Sequence, residues 1–159
     1  MIRNLKIIFA SIFALWGILG GLMNLAGYQM GYGAVEAVVS MAHMDPELRP
    51  AWATENAVIV HLGFALIWGL KLLGGVFLAI GARQMWQART LSADHFNAAK
   101  EKAVVGLGVL LIMLIGGFNL FAANIFAIWA GPIANAFDIS WAFAGEIGLV
   151  MLFMHMHDD

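Results

Sequence analysis

Four stretches of this chain, about residues 7–28, 57–82, 103–129 and 139–157, are each apolar over the length a helix needs to cross a bilayer. The first and third carry no charge, the second carries only Lys71, and the fourth carries only Glu146 as a fixed charge. Four such segments in 159 residues leave too little polar surface to coat a water-soluble globule. Composition agrees: 62% of the residues are hydrophobic and 11% charged, with a mean hydropathy of +0.86, whereas soluble domains carry about twice that charge. A net charge of -2 argues against a nucleic-acid partner. The absence of cysteine rules out disulfides, thiolate metal centres and thiol catalysis.

Arg3 and Lys6 ahead of an apolar run have the look of a signal peptide. The run exceeds a usual signal core, so a retained first helix is expected. Arg3, Lys6, Arg83, Arg89, Lys100 and Lys102 fall on one side of the predicted spans and Arg49 alone on the other. The excess of Lys and Arg on one face predicts a multi-pass protein of the cell inner membrane with both termini cytoplasmic. Trp86 and Trp129 stand near span ends, where an amphipathic ring suits the headgroup region.

The outer loop, 29–56, contains apolar residues on a helical period over 34–44, broken by Asp45-Pro46, which predicts a short interfacial helix. The loop between the second and third spans reads as a solvated helical hairpin, with Ser92 as a cap. Gly131-Pro132 supplies the last turn. Short connections favour antiparallel neighbours. The expectation is one domain over 1–159, all-α, an integral membrane four-helix up-down-up-down bundle. Gly17, Gly20 and Gly21, Gly74 and Gly75, Gly116 and Gly117, and Ala144 with Gly148 provide small residues for close helix packing.

Lys71 and Glu146 carry the most information. A charge at the bilayer centre costs roughly 3 kcal/mol on insertion scales. The second and fourth spans run in the same direction. Lys71 precedes Arg83 by as many residues as Glu146 precedes Asp158, so the two charges are expected at one depth. A buried ion pair between these helices is predicted, serving to fix their register rather than to conduct protons or ions. Asn24, Asn119 and Asn124 are expected to make interhelical hydrogen bonds, although a quinone could use the same amides.

His61, with Trp68 on roughly the same side of the second span, is the first candidate for cofactor binding. A haem b would need a second imidazole at that depth on a facing helix, and none is placed there. His155 and His157, flanked by Met154, Met156 and Asp158, could hold a copper-like metal ion. No cofactor is predicted, and no serine–histidine–acid set, phosphate-binding loop or HExxH motif is present, so no enzyme is expected. The favoured reading is a non-catalytic accessory or stabilising subunit of a larger membrane complex. Its partners would be the lipid bilayer and either other membrane subunits or copies of itself. The alternatives are a haem- or quinone-binding anchor and a small ion or metal transporter.

Several short stretches carry a family resemblance: Ser40 to Asp45, Trp52 followed by His61, Gly81-Ala82 with Trp86, and Phe96-Asn97-Ala98-Ala99-Lys100. Gly117-Phe118, Phe126-Ala127-Ile128-Trp129 and Gly148-Leu149 continue it. The chain resembles a family of small bacterial integral membrane proteins described only by a domain of unknown function. The resemblance implies four transmembrane helices and brings no catalytic residues with it.

Overall fold

The computed structural model describes residues 1–158, and among them the regular structure is entirely helical. Four helical segments are long and apolar enough to cross a membrane: Ile2–Ala26, Ala57–Ala88, Ala93–Phe126 and Ala134–His155. The first is α1. It ends at Gly27, and the chain turns directly into α2 (Tyr28–Val39). The outer helix therefore begins earlier than the 34–44 expected. It packs against the outer part of the second span: Gly31 lies so close to Phe64, and Gly63 to Val35, that neighbouring side chains fill the space a Cβ would take.

The second span is α3 (Ala57–Ala88), opened by Asn56, whose side chain accepts from the Val58 amide. The predicted solvated hairpin is corrected. α4 (Ala93–Ala99) leads through Lys100 into α5 (Glu101–Leu111), and both Phe96 and Lys100 are buried. Ser92 precedes α4 without a side-chain capping bond; its hydroxyl meets His95 instead.

The third span then widens into a π-helical segment, Ile112–Ala122, before α6 (Ala123–Phe126). Eleven residues is long for this wider winding, which usually occurs as single turns and often at functional positions. Ala127, in the left-handed region at φ 47°, and a 3₁₀ turn at Ile128–Ala130 complete the link to α7 (Ala134–His155). The fourth span thus starts earlier than the expected 139.

Neighbours follow chain order. α1 packs along α3, α3 along α5, α7 against α5 and the π-helical segment, and α7 returns to α1 more lightly. α3 and α7 stand on the diagonal. The α1–α3 contact is backbone on backbone. A Cβ on Gly75 would meet Ile18 N at 2.6 Å, and one on Gly17 would meet Gly75 Cα at 2.8 Å. In lipid such approach supplies the dispersion contacts and backbone complementarity that apolar burial cannot. By contrast, Gly116, Gly117 and Gly148 face open space and seat no neighbour.

One apolar core runs between the spans, from Ile7, Phe13 and Leu78 to Leu107, Ile147 and Met154. A second forms an outer cap, where Val38, Val39 and Met41 meet Val60, Phe126 and Ile128.

Candidate functional site

The buried charges gather where the two ends of the chain meet. Lys6 is fully buried, one turn and a half into α1, and its Nζ lies 2.6 Å from Asp158 Oδ2. Lys100, at the α4–α5 junction, reaches the same carboxylate oxygen at 3.0 Å. Both amines also donate to the Met156 carbonyl, at 2.5 and 2.9 Å. Asn97 completes the clamp: its Nδ2 donates to Asp158 O and its Oδ1 accepts from Asp158 N, each at 3.2 Å. Phe153 lies under Lys6, and Phe96 under Arg3 and Lys100, giving apolar walls with cation–π attraction.

A carboxylate removed from water normally ionises less readily. Here burial raises the Asp158 pKa, but the hydrogen bonds and charges of Lys6 and Lys100 outweigh it and hold the group below the ordinary carboxylate range. Lys6, Lys100 and Asn97 donate five hydrogen bonds to Met156 and Asp158, which makes a strong latch. It ties α7 to α1 and α4, and it fixes both termini at one end of the bundle.

This clamp escaped sequence reasoning. Lys6, Lys100 and Asp158 lie in segments that look like ordinary polar flanks, and only folding unites positions more than fifty residues apart in sequence.

The predicted ion pair between Lys71 and Glu146 is not formed. Among the described residues the ion pairs are Lys6 and Lys100 with Asp158, and Lys102 with Glu101. The reason is the diagonal placement of α3 and α7. Lys71 turns instead toward α1, where its Nζ sits 4.5 Å from the Trp16 ring centre. Gly20 makes the room, since a Cβ there would stand 2.9 Å from Lys71 Cε. Trp16 in turn packs on Phe143 of α7, with ring centres 4.8 Å apart. Lys71 and the middle of α7 are therefore level, but Glu146 is exposed on the outward side of its helix.

The three asparagines differ. Asn119 is buried and bonded across helices to Ser140 on α7. Ser140 has one hydroxyl hydrogen, which the Phe137 carbonyl takes at 2.7 Å. The same hydroxyl is within reach of Asn119 Oδ1, and Asn119 Nδ2 has no partner among the described residues. Asn124 is exposed and bonds Leu120 O one turn back in its own helix, so it is not an interhelical contact. Asn24 is half-buried and makes no side-chain hydrogen bond among the described residues.

His61 is exposed at the outer end of α3, with Nδ1 2.8 Å from the Tyr28 hydroxyl and the Tyr32 ring beside it. Trp68, two turns further along α3, is half-buried with its indole nitrogen unpartnered. His155 is exposed, and His157 meets Asn97 at 3.3 Å. Among the described residues no three His, Asp or Glu side chains converge on a point where a metal ion could sit.

Apolar spans in chain order, with polar groups placed where helices join, define a small polytopic α-helical membrane protein. The chain belongs to the family described as predicted small integral membrane protein (DUF2165), whose model matches residues 2–157. No curated protein and no solved structure matches it.

Proposed function

We propose that this protein is a non-catalytic accessory subunit that stabilises or regulates a larger complex of the cell inner membrane. One observation carries the reading: the fully buried polar side chains between the spans join one helix to another, whereas the half-buried Asn24 and Trp68 do not. Asp158 is held by Lys6 and Lys100, Asn119 by Ser140, and Lys71 lies on Trp16. A group that links two helices cannot take up a ligand or pass on a proton without loosening them. The outer cap adds a folded platform, on which Trp52 and Leu48 remain exposed.

Affinity purification from native membranes in mild detergent tests the proposal. Another membrane protein should be recovered in fixed ratio with the chain, and should be lost from the eluate when the outer loop carries Leu48→Glu and Trp52→Glu. Recovery of this chain alone, or only with copies of itself, would overturn the accessory role.

A further inference from the structure

α7 buries Ser140, Ala144, Ile147, Val150 and Met154 against the bundle. Its opposite side carries Ala142, Gly145, Glu146 and Leu149, all exposed and spaced as one stripe on a helix. Glu146 stands near the middle of this 22-residue helix, at the depth of the Lys71–Trp16–Phe143 stack. It is in no ion pair among the described residues. Ionisable side chains within spans almost always face a protein interior or a water-filled cavity. A carboxyl group turned outward at mid-membrane therefore requires cover from another protein surface.

The charges at this depth narrow the choice of cover. Lys71, the other charge at this depth, is half-buried and stacked on Trp16 of α1 beside Gly20, an attachment that a second copy would have to break to present it to α7. The remaining charged side chains lie toward the span ends or in loops. A two-fold axis along the membrane normal, however, places the same stripe of a second copy opposite, with the two Glu146 groups at identical depth. Carboxyl groups are self-complementary, since two of them can share a proton in one short hydrogen bond. Ala142 and Gly145 flank the position, and a Cβ on Gly145 would meet nothing within 4 Å, so a second helix can approach closely.

We propose that the Ala142–Gly145–Glu146–Leu149 face of α7 is a two-fold dimer interface, in which the Glu146 carboxyl groups of two copies hydrogen-bond each other. This goes beyond the accessory role and does not depend on it.

The cysteine-free sequence makes the test direct. Single substitutions Ala142→Cys and Leu149→Cys, oxidised in native membranes, should give a disulfide-linked dimer. Leu66→Cys, equally lipid-facing but on α3, should not. In a fluorescence-transfer measurement between labelled copies, Glu146→Leu should weaken association about tenfold, whereas Glu146→Gln, which still donates and accepts, should retain most of it. Equal cross-linking at all three positions, or an unchanged dimer in Glu146→Leu, would overturn the proposal. So would a photo-crosslinker at Leu149 that joins α7 to a different protein and never to a second copy.

Discussion

Asp158 is a single carboxylate on which two lysines, an asparagine and the docking of a whole helix end depend. Its replacement leaves Lys6 fully buried with no counter-charge, and breaking a buried pair in this way costs roughly 3 kcal/mol. Asp158→Asn should therefore lower the resistance of the detergent-solubilised protein to unfolding by that order, measured by tryptophan fluorescence. The pH dependence has a definite sign. The native carboxyl titrates below its unfolded value of about 3.9. Its contribution is thus complete above that value and fades as the pH falls through the native pKa. Wild type should lose stability progressively below about pH 4, and Asp158→Asn should lack that acid limb. Lys71 shows how residue chemistry alone misleads: its charge was legible in the sequence, but a stacked tryptophan was not distinguishable from a carboxylate as its partner.

At the scale of elements, the glycines sort into those that seat a neighbouring backbone and those that do not. Gly75 touches the α1 backbone, whereas Gly108 on α5 faces open space, though both sit inside apolar helices. Gly75→Ala should force α1 and α3 apart and cost about 1–3 kcal/mol, as overpacked sites do. Gly108→Ala should be neutral or stabilising by up to about 1 kcal/mol, from helix propensity. Equal effects in the same unfolding measurement would show that the α1–α3 contact is not made by backbone approach. Gly116 and Gly117, expected among the packing residues because they are small, also face open space. The π-helical winding of Ile112–Ala122 defeats that reading, because a wider helix changes which side chains share a face. The same winding is where Asn119 meets Ser140, a partner on α7 that the sequence leaves unnamed.

For the whole molecule, the clamp between Lys6 and Asp158 puts both termini at one end, and the Lys and Arg excess at that end makes it the expected cytoplasmic face. A membrane-impermeant thiol reagent applied to intact cells should label Leu48→Cys in the outer loop and spare a cysteine added at Gln87, with the reverse pattern inverting the topology. The sequence by itself marks out four helices long and apolar enough to cross a bilayer, with ends that differ from the observed ones by up to ten residues. Hydrocarbon selects for length and apolarity, and both are properties of a continuous stretch of chain. The tertiary structure alone decided which helices touch and what each charge meets: Lys71 with Trp16, Asp158 with two lysines, Glu146 turned outward. Those outcomes depend on crossing geometry and on which glycines admit a neighbour, and lipid, being equally apolar on every side, leaves no hydrophobic pattern in the sequence to record them.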